Sequence, residues 1–199
     1  MRKYRILKIS DAKEVAIIHE KAFEGFFLTT LGRPFLETYY KSCIKYINAL
    51  AICAVDEKGS ILGFIVGSLN SKGFHKRLIL NNIYSYAIQL IIISFTKPKS
   101  LLRLYRNLNK EASPEDCGDY AEVLSIGVLV EKKGLGIGKG LLFEFEKIIN
   151  TENIKRVSLT TDLNSNEGVL KFYKSMGYGV YYEFTTYPDR QMFKLIKKI

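Results

Sequence analysis

The stretch Val123 to Leu142, VLSIGVLVEKKGLGIGKGLL, sets an apolar strand pattern, a basic turn, alternating glycines and an apolar helix pattern end to end. Such a succession suits an anion. Glycine removes the side chains that would hold a phosphate away from backbone N–H groups, and the positive end of the following helix dipole faces the same point. Spacing excludes two common phosphate motifs. A dinucleotide fingerprint needs glycines at relative positions one, three and six, but counted from Gly134 the sixth is Lys139, and counted from Gly136 it is Leu141. A P-loop fails as well, because Gly138-Lys139 is followed by Gly140 and Lys133 stands where its first glycine belongs. What remains is Lys133-Gly134-Leu135-Gly136-Ile137-Gly138.

A second group follows at Asn166-Glu167-Gly168-Val169-Leu170-Lys171-Phe172-Tyr173-Lys174-Ser175-Met176-Gly177-Tyr178. Asn166 and Tyr173 are about two helical turns apart, so both project from one helix face. Alone, the pair reads as an N-cap and a core aromatic. After the glycine run, in this order, the chain resembles the GCN5-related N-acetyltransferase (GNAT) family, with specific motifs over Glu122 to Tyr178 and a matching element order elsewhere. The family's glycine motif begins with Arg or Gln, from which Lys133 departs, and it binds the pyrophosphate of acetyl-CoA.

The resemblance implies acetyl-CoA as co-substrate, held by Lys133, Gly134, Gly136, Ile137, Gly138 and Lys139, with Asn166 as a further contact. It implies that backbone groups of Ile126, Val128 and Val130 pair with the pantetheine arm as an extra strand would, and that Gly127 marks the bulge opening this edge. Tyr173 becomes the general acid for the departing thiolate. A primary amine is mostly protonated at neutral pH, so a base is useful; Glu122 is the candidate, ahead of His19 and His75. The implied reaction is direct acetyl transfer to a primary amine, without a metal or a covalent enzyme intermediate. The acceptor expected is a small molecule such as an amino sugar or another anionic amine. A protein N-terminus or lysine as acceptor, and a non-catalytic CoA-binding regulatory protein, are the alternatives.

The elements that must position these residues are readable from periodicity. Tyr4 to Ile9 suggests a strand, Ser10-Asp11 an N-cap, and Ala12 to Phe23 a helix. Phe26 to Leu31 is an aromatic, hydroxyl-bearing loop, for which the resemblance implies a lip beside the acceptor and simple packing is the alternative, before a helix over Pro34 to Ile47. Ala49 to Asp56 and Ile61 to Leu69 form a hairpin. Tyr120 to Val130 is a strand, the glycine run opens a helix to about Asn150, and Lys155 to Thr161 is a strand. A helix over Asn166 to Met176 ends at Gly177, and Gly179 to Tyr187 with Gln191 to Ile196 closes the chain as a strand pair. The fold expected is α/β: a GNAT-type mixed twisted sheet flanked by helices on both faces. It forms a single domain over 1–199, with a helical insertion at about 70–118 between the third and fourth strands.

Composition agrees with one folded unit: 199 residues, 47% apolar, 25% charged and four prolines. The net charge of +10 favours an anionic partner. Half of it lies in the insertion, where Lys72, Lys76, Arg77, Lys97, Lys99, Arg103, Arg106 and Lys110 face Glu111, Glu115 and Asp116. These cations suit an anionic acceptor, a membrane surface or a solvated face. Leu78 to Thr96 carries no charge and approaches the length of a bilayer span, yet Asn81, Ser85 and Gln89 make a polar stripe that points to a soluble amphipathic helix. Peripheral membrane contact therefore comes second, and a homodimer is left open. No aromatic-and-basic sheet face or recognition helix suggests nucleic acid. Cys43, Cys53 and Cys117 have neither disulfide nor metal spacing, and the N-terminus lacks a secretory signal, so the expected location is cytoplasmic.

Overall fold

The computed structural model describes residues 2–108, 116–164 and 166–199. The first strand, β1 (Lys3–Ile6), stops earlier than its sequence pattern suggests, because Ile9–Asp11 form a 3-10 turn before α1 (Ala12–Ala22). Asp11 explains the difference. Its carboxylate accepts the Lys8 N–H at 2.7 Å and an Arg5 Nη1–H at 2.6 Å, so it locks the turn and makes no side-chain cap of α1.

The aromatic loop contains a single helical turn, α2 (Phe27–Thr30), fixed by Thr29 and Thr30 hydroxyls donating to Phe23 and Phe27 carbonyls. Pro34 sits in the first turn of α3 (Arg33–Lys45), where its missing N–H costs nothing. The hairpin is β2 (Ala49–Val55) and β3 (Ile61–Ser68), joined by a turn in which Asp56 accepts the N–H groups of Lys58 and Ser60.

Between β3 and the fourth strand stand α4 (Phe74–Leu80), α5 (Ile83–Thr96) and α6 (Pro98–Leu108). Of the charged residues read in this segment, Lys110, Glu111 and Glu115 lie outside the described residues. Phe74 and Leu78 anchor α4 in the core, Tyr86 and Ile93 anchor α5, and Leu101 and Leu104 pack α6 against that core. Arg103 lies 4.9 Å above the Phe27 ring and Lys97 donates to the Thr30 carbonyl at 2.7 Å, so the insertion braces α2.

The chain continues through β4 (Ala121–Val128), α7 (Ile137–Thr151), β5 (Arg156–Asp162), α8 (Glu167–Ser175), β6 (Gly179–Thr186) and β7 (Arg190–Lys198). The seven strands are ordered β1-β2-β3-β4-β5-β7-β6. Every pairing is antiparallel except β4 with β5, the pair that α7 connects. Side-chain alternation sends Ala51, Cys53 and Val55 to a core under α1 and α3, and Leu50, Ile52 and Ala54 to a second core under α7. Helices therefore cover both faces.

The bulge that opens the edge of β4 is not at Gly127. Val66 faces Ser125 while Gly67 faces Val123, so Leu124 is the extra residue. Gly127 has a packing reason instead: a Cβ there would lie 2.9 Å from Phe64 Cε1 and 3.3 Å from Phe23 Cε2.

His19, on α1, is 3% exposed; its Nδ1 is 2.5 Å from Tyr40 Oη, and its Nε2 has no partner among the described residues. Burial lowers its pKa from 6.5 to about 4. The unfolded chain therefore takes up this proton first as pH falls, so stability is full above pH 6.5 and lost toward pH 4. Urea unfolding should show about 2 kcal/mol less stability from this group at pH 5 than at pH 7. A His19→Leu variant should have a correspondingly flatter pH profile.

Candidate active site

Strands β4 and β5 pair only through Ala121, Val123 and the residue between them, facing Val157 to Leu159. Beyond Val123 they diverge, and a cleft of about 690 Å³ occupies the gap. The edge of β4 from Leu124 to Val128 faces this cleft with no β5 residue in register. Unpaired strand edges are templates for an extended ligand. Ile126 and Val128, both expected at the cofactor, line the cleft.

Val130 does not. The chain leaves β4 before it, Val130 begins a 3-10 turn, and its carbonyl accepts the Lys133 N–H at 3.2 Å.

One end of the cleft is the start of α7, where Lys133, Gly134, Gly136, Ile137, Gly138 and Lys139 all contribute to the lining. Gly134 and Gly136 have φ of +78° and +75°, left-handed values that turn the backbone sharply into the helix. The Gly140 N–H closes the first helical bond, to Gly136 O at 3.0 Å. The three N–H groups before it have no helical acceptor, as at any helix start.

Gly138 is the informative position. Its φ is not left-handed, and a Cβ there would meet only Val128 Cγ2, at 3.9 Å. Neither backbone strain nor packing asks for glycine, which costs about 1 kcal/mol against alanine in a helix. The open space above it belongs to the cleft. These residues fit a pyrophosphate: exposed N–H donors, a positive helix end and two flanking lysines, with room that any side chain would fill.

Asn166 and Tyr173 line the same cleft from α8. Asn166 occupies the N-cap position, but its Nδ2 donates to Thr161 Oγ1 at 2.5 Å and Asp162 O at 3.0 Å, tying α8 to the end of β5. Tyr173 is 7% exposed, with its ring 5.1 Å from that of Phe172 and 5.9 Å from that of Tyr178. Its hydroxyl makes no hydrogen bond with the described residues. Burial pushes its pKa up to about 12, so the phenol keeps its proton throughout the neutral range.

Glu122 lies on β4 but outside the cleft lining. Its Oε1 accepts from Lys194 Nζ at 2.5 Å, and its Oε2 accepts from the Ser71 hydroxyl. Lys194 is 6% exposed in its side chain and lies 4.9 Å from the Tyr120 ring centre. His75, on α4, is exposed and lies outside the cleft lining.

Two cleft residues escape sequence reasoning. Arg190 forms a bidentate ion pair with Asp162, and its guanidinium lies 4.2 Å over the Phe26 ring. The three residues come from β7, β5 and the loop before α2, so no local pattern joins them. Among the described residues, no group of three or more His, Cys, Asp or Glu side chains is arranged to hold a metal.

A splayed parallel strand pair with a glycine-opened helix at one end and a protonated phenol along its wall forms a cleft that fits a long, phosphate-bearing ligand. The chain belongs to the acetyltransferase (GNAT) family, whose model matches residues 17–178; it is an acyltransferase that uses acetyl-CoA. No curated protein matches the chain.

Among solved structures, it is similar to the ribosomal-protein-S18-alanine N-acetyltransferase from Escherichia coli, at 13% identity and TM-score 0.62, covering 100% of this chain and 94% of that one. It is also similar to the PaiA N-acetyltransferase from Thermoplasma acidophilum in complex with coenzyme A, at 16% identity and TM-score 0.56, covering 100% and 99%. A third is Naa20 from Chaetomium thermophilum in complex with a bisubstrate analogue, at 19% identity and TM-score 0.59, covering 99% and 86%. At these identities the likeness is one of fold.

Proposed function

We propose that this chain transfers the acetyl group of acetyl-CoA to the primary amine of a small molecule, an amino sugar or another anionic amine. The observation that carries the reading is the divergence of β4 and β5 beyond Val123, with the glycine cradle at one end of the gap and Tyr173 on its wall. When bound, acetyl-CoA supplies an activated thioester. The N–H groups at the start of α7, with Lys133 and Lys139, hold the diphosphate. The free edge at Ile126 and Val128 aligns the pantetheine arm, and Asn166 fixes the end of β5 against α8. Tyr173 holds a proton on Oη for the departing sulfur.

The insertion favours a small acceptor. Its helix α6 and Lys97 brace α2, Phe26 lines the cleft beside Arg190, and Arg106 lies 4.4 Å over the Tyr187 ring. Arg190 is balanced by Asp162 within the cleft, so the support for an acceptor with a negative group is the net positive charge of the chain and of the insertion. A peptide amine is the second reading, since solved structures of this fold include an enzyme named for a ribosomal-protein alanine.

Thiol release measured over a panel of amino sugars, phosphorylated amines, free amines and peptides tests both. Turnover confined to small anionic amines is the expected result. Turnover confined to peptides transfers the assignment, and no turnover with acetyl-CoA bound leaves a CoA-binding protein without catalysis.

Glu122 is proposed as the base, reached through water from the cleft and balanced by Lys194. Glu122→Gln should lower turnover by about 100-fold or more while leaving acetyl-CoA affinity unchanged. Undiminished turnover, with lower thermal stability from the unpaired and buried Lys194, makes Glu122 a structural partner instead.

A further inference from the structure

Helix α5 has the sequence IYSYAIQLIIISFT, without a charge, and the protein buries little of it. Tyr86 and Ile93 enter the core with Gln89 half-buried between them, a narrow seam along one side. Outside that seam Ile83, Tyr84, Ile88, Ile91 and Phe95 are exposed, Tyr84 and Phe95 by 85% and 84%. A surface helix normally turns its polar face outward, and one that is apolar all round belongs inside a protein or a membrane. Of the polar stripe in the sequence reading, Asn81 and Ser85 are exposed, while Gln89 lies in the seam. Two other polar groups are internally satisfied: the hydroxyls of Ser94 and Thr96 donate to the Ile91 and Ile92 carbonyls at 2.7 and 2.8 Å.

Charge identifies what covers this face. From Asn70 to Lys110 the sequence contains no Asp or Glu. Lys76 and Arg77 precede α5, Lys99 follows it, all three are exposed, and none forms an ion pair with the described residues. A second copy docked here would bring two such basic segments together with no acid to offset them. An anionic lipid surface satisfies both features: acyl chains take the apolar side chains, and headgroups take the cations at either end.

No single helix is long and apolar enough to cross a membrane among the described residues, and α4 meets α5 at a 95° bend. At 14 residues α5 is about 21 Å long, short of a bilayer core of about 30 Å. We propose that α5 lies in the plane of an anionic membrane surface, its exposed side in the acyl boundary and Lys76, Arg77 and Lys99 among the headgroups.

The chain has no tryptophan, so Phe95→Trp places a single reporter on the exposed face. With vesicles of phosphatidylcholine and phosphatidylglycerol, its emission should shift to the blue and the protein should float with the lipid. With phosphatidylcholine alone the binding should be on the order of ten-fold weaker or less. Ile88→Ser with Ile91→Ser changes no charge and should reduce binding to the anionic vesicles by about ten-fold or more, with acetyl-CoA binding retained as the check on folding. Three results overturn the proposal. One is an unshifted emission with anionic vesicles. Another is undiminished flotation of the serine variant, which would make the attraction one of net charge alone. The last is a dimer in solution that the serine variant converts to a monomer while neither protein binds lipid, which would make the face a contact between copies.

Discussion

Gly138→Val loses affinity for acetyl-CoA by more than about 100-fold in calorimetric titration, while its unfolding midpoint equals or exceeds that of the unsubstituted chain. The two halves of this expectation come from the same position. Valine costs slightly less than glycine within a helix, and a Cβ at 138 touches only Val128 Cγ2 at van der Waals distance, so the folded state accepts the change. The added methyls project instead into the cleft, over N–H groups that have no other acceptor. Losing about two hydrogen bonds to a charged phosphate amounts to about 3 kcal/mol, or about 100-fold. Gly136→Val should lose binding as well, but with lower stability, because its φ of +75° is hostile to a β-branched residue. Wild-type affinity in Gly138→Val would move the diphosphate away from α7.

Tyr173→Phe lowers turnover by about 100-fold or more and leaves acetyl-CoA affinity within about two-fold. The ring keeps its contacts with Phe172 and Tyr178, and the hydroxyl gives up no hydrogen bond to the described residues, so stability and binding have no reason to change. What disappears is a proton held beside the wall of the cleft by a group whose burial keeps it protonated. Steady-state and single-turnover rates measured together separate this from slow product release. Undiminished turnover removes Tyr173 from the chemistry.

The parts of this molecule legible in its sequence are those fixed by local periodicity or by backbone conformation. The hairpin of β2 and β3 announces itself through two apolar runs around Asp56 to Ser60, and the glycines before α7 through a conformation that other residues avoid. What escaped depends on partners far along the chain. Asp11 looks like a helix cap until Arg5 is folded beside it. The bulge at Leu124 is set by register against β3, for which Gly127 carries no signal. Glu122 has the sequence context of a base, yet its carboxylate is shared with Lys194, 72 residues away. Helix α5 reads as amphipathic from its Asn, Ser and Gln spacing; Asn81 and Ser85 are exposed as that spacing suggests, and only packing reveals that Gln89 is half-buried and that the apolar side is left uncovered.

The brevity of the β4–β5 pairing has a mechanical meaning. Four strands, β1 to β4, and three, β5 to β7, share only three residue pairs of backbone ladder, so the sheet is two leaves held together mainly by the core under α7 and by the Lys194–Glu122 and Lys197–Glu146 ion pairs. A molecule bonded to both leaves serves as a strut supplied from solution. Its contribution obeys mass action: at one hundred times its dissociation constant it adds about 2.7 kcal/mol to the free energy of unfolding. Resistance of this chain to heat and proteolysis thereby becomes a gauge of the acetyl-CoA concentration around it.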